Sequence, residues 1–252
     1  MNSLFAKNSL MILESLSFTK TLYAFDFDGT LSKIVSAPTE ANMTQTTSDL
    51  LQELSKLVPV AIVSGRSVKD LKCRLSFRPK YLVGNHGLEG LSNSLSKLDQ
   101  AKKVCRAWKS KLQKSELGAG VEIEDKSFSL ATHYRRSRSK KESKLLIRNA
   151  VATLVPAPRV ISGKAVTNLL PLGAPHKGVA VLEMMKTLGV SHAFYIGDDD
   201  TDEDVFSLPD SQIMTVRVGK KKSSHARYFT EKQSDINRLL KLLIRYHTAN
   251  QK

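Results

Sequence analysis

Five short apolar runs in this chain each stop at a glycine or at polar residues, and helical patterns separate most of them. Alternation of buried strands with helices predicts an α/β fold in which the strands form a doubly wound parallel sheet. The polar ends of such strands share one edge of the sheet, where chemistry collects. The five runs are residues 22–27, 58–63, 81–83, 193–196 and 213–218.

The middle of the chain breaks this alternation. It contains two stretches with apolar residues at helical spacing and four shorter, strand-like stretches, of which the first two alternate apolar with polar side chains as exposed antiparallel strands do. The helical stretches are 95–114 and 140–154, and the strand-like ones are 121–124, 128–134, 159–161 and 166–170. The last two form a predicted hairpin that turns at Ser162 and Gly163. We therefore predict an inserted α+β unit.

These patterns divide the chain into three parts. We predict that residues 21–89 and 172–252 form the core domain and that residues 90–171 form the inserted domain. Residues 1–20 are predicted to be an N-terminal lead-in, to which the sequence assigns no function.

Composition limits the class of protein. Of the 252 residues 41% are hydrophobic, which is enough for a large core. The net charge of +15 favours anionic partners such as phosphorylated metabolites, nucleic acid or a membrane surface, although a solvated basic surface without a partner explains it equally well. Cys73 and Cys105 form no zinc motif and fit a reducing compartment. Because Lys7 and Glu14 interrupt the first apolar segment, we expect no secretory leader. No stretch approaches eighteen continuous apolar residues, so we expect no membrane span and a cytoplasmic location.

The first strand-like run leads into Asp26-Phe27-Asp28-Gly29-Thr30. On extended backbone Asp26 and Asp28 point to the same side, where their charges repel and where Mg²⁺ would neutralise them. Gly29 allows a sharp turn, and Thr30 offers a hydroxyl and an N–H to a phosphate. The alternative interpretation is a surface turn in which Asp and Gly have their usual roles.

A second acidic stretch, residues 198–204, has six carboxylates in seven positions. An acidic first helical turn explains one or two of them, and so many like charges indicate a cation site. Together with Asp26 and Asp28 this stretch is predicted to complete a Mg²⁺ site. Asp198 and Asp199 are the favoured further ligands, and Asp202 is expected to hold a ligand or a lysine.

Two weaker signals lie elsewhere. Ser64, which follows the second apolar run in Ser64-Gly65-Arg66, fits a contact to a phosphoryl oxygen and equally fits a helix N-cap. Lys177 opens a helical pattern, where it is placed to span a nucleophile and a phosphoryl group. From the residues alone, a solvated lysine on a basic surface is the better interpretation of Lys177.

The Asp-x-Asp-Gly-Thr stretch resembles the signature of the haloacid-dehalogenase-like phosphatases. The order of the further motifs is similar to that of the trehalose-6-phosphate phosphatase family over about residues 20–245. The motifs that carry the resemblance are 26–31, 62–66, 85–87, 128–135, 163–171 and 197–204. The resemblance implies a Rossmann-like core with an inserted α/β cap.

The resemblance also implies roles for single residues. Asp26 would be the nucleophile, which forms an aspartyl-phosphate, and Asp28 the general acid and then the general base. Ser64 and Lys177 would bind the phosphoryl group. A larger set would contact the substrate: Thr30 at the phosphate, Arg66, Asn85, His86 and Gly87 at the sugar-facing rim, and Arg135, Lys164 and Asn168 from the cap.

One segment departs from the family pattern. Where the family reads Val-x-Glu-x-Arg-Pro, this chain has Asn168 in place of the glutamate and Leu170 in place of the arginine. The implied function is Mg²⁺-dependent hydrolysis of trehalose 6-phosphate, a small-molecule sugar phosphate, and this departure keeps open the same chemistry on another phosphorylated sugar. A less favoured alternative is a nucleic-acid-binding protein, for which the basic insert offers only Trp108, Phe128 and Tyr134 for base stacking.

Overall fold

The computed structural model describes residues 1–35, 38–91, 95–163, 165–209 and 211–250. These residues form two compact units. The first comprises Met1–Gly87 and His176–Lys252, and the second comprises Leu88–Pro175. The limits of the second unit differ by two and four residues from the predicted insert at 90–171.

Eleven strands are found in the described part of the chain, and they form two sheets. In the first unit a parallel sheet of seven strands has the order β1-β11-β10-β9-β2-β3-β4, which confirms the predicted doubly wound core. In the second unit four antiparallel strands have the order β5-β6-β8-β7. The strands are β1 Asn2–Ser3, β2 Thr21–Phe25, β3 Val60–Val63, β4 Tyr81–Val83, β5 Glu122–Asp125, β6 Leu130–His133, β7 Pro158–Gly163, β8 Val166–Pro171, β9 His192–Gly197, β10 Ile213–Val218 and β11 Tyr228–Thr230.

Eight α-helices accompany these strands in the described residues. The last helix, Ile236–Ala249, is amphipathic. Its residues Leu239, Leu240 and Leu243 recur at helical spacing and are fully buried in the core of the first unit. None of the described helices has the length and apolar character that crossing a membrane requires. The helices are α1 Lys7–Ser15, α2 Gln45–Leu57, α3 Val68–Arg74, α4 Leu95–Gln113, α5 Lys140–Ala152, α6 Lys177–Leu188, α7 Glu203–Phe206 and α8 Ile236–Ala249.

Residues 1–20 are an integral part of the first unit and do not stand apart as a lead-in. Strand β1 pairs with β11 and so extends the parallel sheet by one strand. Leu4, Leu13 and Leu16 are buried in the core of the first unit. The sequence did not predict β1 because a strand of two polar residues, Asn2 and Ser3, has no apolar pattern.

The second unit has its own apolar core between α4, α5 and the antiparallel sheet. Trp108 is buried in it, and its indole N–H donates to the backbone oxygen of Pro156 at 2.9 Å. Tyr134 is also buried, so two of the three aromatic residues considered for base stacking pack inside the protein instead. The predicted turn at Ser162 and Gly163 is wrong, because β7 continues through Gly163 and pairs it with Val166.

The chain leaves the first unit after Gly87 and returns to it at His176. Gly87 has a φ of 114°, and a Cβ at this position would lie 2.7 Å from the backbone oxygen of His176. A side chain at position 87 would therefore both strain the backbone and collide with the chain where it returns at His176, just before α6. The points of exit and return lie side by side in the first unit.

A buried histidine makes the stability of the first unit sensitive to acid. Burial lowers the pKa of His247 below its usual 6.5, and its Nε2 lies 2.8 Å from the hydroxyl of Tyr23. Since the folded state then binds a proton less readily than the unfolded state, this stability is present above pH ~6.5 and is lost progressively as the pH falls below it. We expect the free energy of unfolding in urea to fall more between pH 7.5 and pH 5.5 for the wild type than for His247→Gln. Equal losses would show that His247 does not contribute.

Candidate active site

The sheet order brings the candidate residues together. Strand β2 lies between β3 and β9, and all three run in parallel, so their carboxyl ends meet at one edge. Asp26 directly follows β2, Ser64 follows β3, and Asp198 follows β9. All three are buried. The site therefore arises where three adjacent buried strands end in polar residues, as the alternation in the sequence predicts.

Lys177, the first residue of α6, is fully buried between two carboxylates. Its Nζ donates to Asp26 Oδ1 at 2.7 Å and to Asp202 Oδ1 at 2.7 Å. Burial by itself would lower the pKa of Lys177, but Asp202 and Asp26 raise it well above the usual value, so the ammonium is charged. The interpretation of Lys177 as a solvated surface lysine is excluded by this burial.

Asp202 is committed to hydrogen bonds on both of its oxygens. Oδ1 accepts from Lys177 and from the hydroxyl of Tyr195 at 2.7 Å, and Oδ2 accepts from the backbone N–H of Asp199 at 2.9 Å. These contacts fix both the lysine and the start of the acidic loop. Tyr195 was not among the residues predicted from the sequence, although a tyrosine inside a buried strand needs a partner for its hydroxyl.

Three carboxylates lie close enough to share a cation. Oxygen atoms of Asp26, Asp198 and Asp202 lie within 4.8 Å of one another, and all three residues are buried. Burial raises the pKa of Asp26 well above its usual value, against the opposing effect of Lys177, and Asp202 and Asp198 add to the rise. Divalent cations with oxygen ligands, such as Mg²⁺, fit this all-carboxylate set, because they would offset the repulsion and the burial.

The other two predicted ligands have different contacts. Both side-chain oxygens of Asp28 accept from Arg66, and Asp199 accepts from the backbone N–H of Asp200 at 2.7 Å as the cap of a short helical turn. The described cluster therefore includes neither carboxylate. A count of acidic residues in a motif does not reveal which of them the local turn directs inward.

Arg66 joins the two aspartates Asp28 and Asp70. Its guanidinium donates to Asp28 in a bidentate pair, with both distances 2.6 Å, and to Asp70 at 2.7 Å. Asp70 in turn accepts two hydrogen bonds from Arg74. The resemblance implied that Arg66 lies at the sugar-facing rim, whereas in this structure the guanidinium holds Asp28 in place.

We expect Arg66→Met to lower kcat about tenfold or more while KM changes less than about twofold, because Asp28 loses the group that orients it. Phosphate release, the activity that the family resemblance implies, measures both constants at varied substrate concentration. The exposed Arg78 provides the matched control, and Arg78→Met should leave both unchanged. A rise in KM at constant kcat would instead indicate that Arg66 contacts the substrate.

Arg217 on β10 binds the backbone at the start of the acidic stretch, residues 198–204. Its guanidinium donates to the backbone oxygens of Asp198 at 2.6 Å and Asp199 at 3.1 Å, and to Glu203 at 3.0 Å. The side chain is almost fully buried. Arg217 was not predicted from the sequence, because the position of an arginine within an apolar run does not indicate which groups it will bind.

The small polar residues around this edge are also buried. The hydroxyl of Thr30 has no hydrogen-bond partner among the described residues, and such a buried group costs free energy until a ligand or water satisfies it. Ser64 accepts from the N–H of Arg66 at 3.2 Å. His86 packs on Gly65, where a Cβ would lie 2.4 Å from its ring. Asn85 and Gly87 are buried or tightly packed beside it.

The predicted substrate residues of the insert belong to the second unit. Asn168 lies on β8 and is buried, and Leu170 on the same face of that strand is fully buried as well. Arg135 follows β6. Lys164 lies outside the described residues. The binding roles of these residues stay predictions.

Solved structures show the class of fold. The fold resembles that of the Candida albicans trehalose-6-phosphate phosphatase C-terminal domain, with a TM-score of 0.74 at 21% identity over 96% of this chain and 97% of the other. A trehalose-6-phosphate phosphatase related protein gives a TM-score of 0.73 at 23% identity over 92% and 100%. The chain thus has the fold of these two solved structures.

The family follows from the sequence. The family model described as trehalose-phosphatase matches residues 24–234, and the chain therefore belongs to the trehalose-phosphatase family. It is 33% identical over 218 residues to the trehalose-phosphate phosphatase of Mycobacterium ulcerans, covering 81% of this chain and 56% of that protein. It is 28% identical over 247 residues to trehalose-phosphate phosphatase B of Arabidopsis thaliana, covering 88% and 65%. The chain thus spans somewhat more than half the length of these curated relatives.

Proposed function

We propose that the protein is a Mg²⁺-dependent phosphomonoesterase that hydrolyses trehalose 6-phosphate to trehalose and phosphate. The observation that carries the proposal is the buried Lys177, which bridges Asp26 and Asp202 beside a third carboxylate. Such an arrangement of one cation and clustered carboxylates suits phosphoryl transfer, which depends on positioning and on neutralising charge. Membership of the trehalose-phosphatase family supports the choice of substrate.

In the proposed mechanism a carboxylate oxygen of Asp26 attacks phosphorus, and the bond from phosphorus to the sugar oxygen breaks. Asp28 donates its proton to that oxygen and then takes a proton from the attacking water. The water oxygen bonds to phosphorus, and the aspartyl-phosphate bond breaks to regenerate Asp26. The hydroxyls of Thr30 and Ser64 and the ammonium of Lys177 bind the phosphoryl oxygens. Asp26 and Asp198 would hold Mg²⁺, which would neutralise the charge of the phosphoryl group when bound.

The test is phosphate release with Mg²⁺ from trehalose 6-phosphate, glucose 6-phosphate, sucrose 6-phosphate and an aryl phosphate. We expect the highest kcat/KM for trehalose 6-phosphate. The second candidate is the same chemistry on another phosphorylated sugar, and Asn168 and Leu170 favour it because neither side chain offers the charge of the family pattern. Preference for another sugar phosphate would establish that alternative, and release from none of the four would contradict both.

We expect Mg²⁺ to raise the Tm of the wild-type protein, because an ion that binds only the folded state stabilises it and relieves the repulsion among Asp26, Asp198 and Asp202. Asp198→Asn should remove most of this shift. Thermal unfolding with Mg²⁺ and with a chelator measures this shift without relying on turnover. Phosphate release should fall when the chelator is added and recover when Mg²⁺ is restored. If the chelator changes neither Tm nor activity, the cluster is not a metal site.

A further inference from the structure

A groove in the second unit is lined by residues that are not assigned to the phosphatase site, although one of them, Thr167, precedes Asn168 on β8. It has a volume of about 600 Å³ and runs between helix α5 and strands β7 and β8. Clefts of this size with a mainly apolar lining are typical of sites for small molecules.

The floor of the groove is aliphatic. Ile147 and Val151 of α5 are buried in it, whereas Leu145 and Val160 at its sides remain 47% and 48% exposed. Large side chains that stay half exposed at the sides of a concave apolar surface gain free energy when an apolar body covers them. The surface thus favours a ligand with an apolar part.

The rim of the groove is cationic. Lys141, Lys144 and Arg148 line it at helical spacing, with Glu142 as the one carboxylate among the lining residues. None of these three cations forms an ion pair with a carboxylate in the described parts of the chain. Unpaired cations around an apolar floor are complementary to an anion with an apolar body.

Other occupants fit less well. Residues 88–175 carry 17 lysines and arginines against seven acidic residues, so a second copy of the chain would bring like charge to the groove. Among the residues that the structure describes, the lining contains no aromatic side chain on which a nucleic-acid base would stack. A bare inorganic anion would leave the aliphatic floor uncovered.

We propose that this groove binds an amphiphilic anion, with its aliphatic chain on Ile147, Val151 and Val160 and its carboxylate, sulfate or phosphate head at Lys144 and Arg148. The proposal shares no residue with the proposed phosphatase chemistry and does not depend on it. The guanidinium of Arg148 suits a bidentate contact to such a head group.

The test is calorimetric titration of the full chain with decanoate, below the concentration at which decanoate forms micelles. We expect saturable binding at one site, and binding of decanol and decyltrimethylammonium that is weaker by about tenfold or more, because they lack the anionic head. The double variant Lys144→Glu/Arg148→Glu and the single variant Val160→Asp should each weaken decanoate binding by a similar factor. Circular dichroism and thermal unfolding check that the variants are folded.

The matched control is Lys102→Glu/Lys103→Glu, which changes the net charge equally at two exposed positions of α4 and should leave binding unchanged. Absence of saturable binding, or binding that the groove variants leave intact, would overturn the proposal. A peptide of alternating glutamate and valine that binds the groove when decanoate does not would assign it to an acidic protein segment instead.

Discussion

Asp26→Asn is expected to lower kcat for phosphate release by more than about a thousandfold, because an amide replaces the nucleophile of the proposed mechanism. The same change removes the negative charge of one of the three clustered carboxylates, which is also one of the two charged partners of Lys177. Both effects act at the step that forms the aspartyl-phosphate. Steady-state phosphate release from the best substrate of the panel measures the loss.

The matched control is Asp49→Asn on α2, where the carboxylate is exposed, accepts a hydrogen bond from Gln45 and is not among the residues assigned to the site. It makes the same chemical change and should retain full activity. Thermal unfolding of both variants establishes that any loss is not a loss of folding. An Asp26→Asn protein that keeps more than a few per cent of the wild-type rate would falsify covalent catalysis by this residue.

Lys177→Met is expected to reduce the free energy of unfolding by about 3–5 kcal/mol and to abolish turnover. A methionine fills most of the space but leaves Asp26 and Asp202 buried without their shared cation, and an uncompensated buried charge is costly. Urea unfolding at pH 7.5 measures the first effect. The exposed Lys186 on the same helix gives the control, since Lys186→Met removes an equal charge and should change stability by less than about 0.5 kcal/mol.

A second substitution separates charge from packing at this position. In the double variant Lys177→Met/Asp202→Asn one of the two stranded carboxylates becomes neutral, so part of the lost stability should return. Tyr195 retains a partner, because the amide oxygen of asparagine accepts a hydrogen bond. If the double variant is as unstable as the sum of the two single variants, the ion pair is not the cause of the loss.

The core strands were predictable because their signal is local. The apolar run before Asp26, the run before Ser64 and the run before Asp198 each become a buried strand, and parallel pairing then places the three residues at one edge. Periodicity and the rule that the carboxyl ends of parallel strands meet at one edge are sufficient for this prediction. Strand β1 could not be predicted in this way, because its two polar residues show no pattern and form a strand only by pairing with β11.

The contacts that organise the site were not predictable from spacing. Arg66 and Asp28 are 38 residues apart. The chain contains 24 acidic residues, and nothing in the spacing indicates which of them pairs with Arg66. Arg217 likewise binds backbone oxygens, which every residue has, so no side-chain pattern identifies its targets. Tertiary geometry decides these pairs, and it also decides that Asp202 faces Lys177 while Asp199 caps a turn.

The adjacency of Gly87 and His176 gives the chain a modular construction. Residues 88–175 join the first unit at one place, and none of the seven strands of the parallel sheet comes from them. The residues that we assign to phosphoryl chemistry lie outside that segment, and those at which the chain departs from the family pattern, Asn168 and Leu170, lie inside it. If the proposed function holds, we therefore expect exchange of residues 88–175 between relatives to change the sugar preference and to leave the phosphoryl chemistry of the first unit intact.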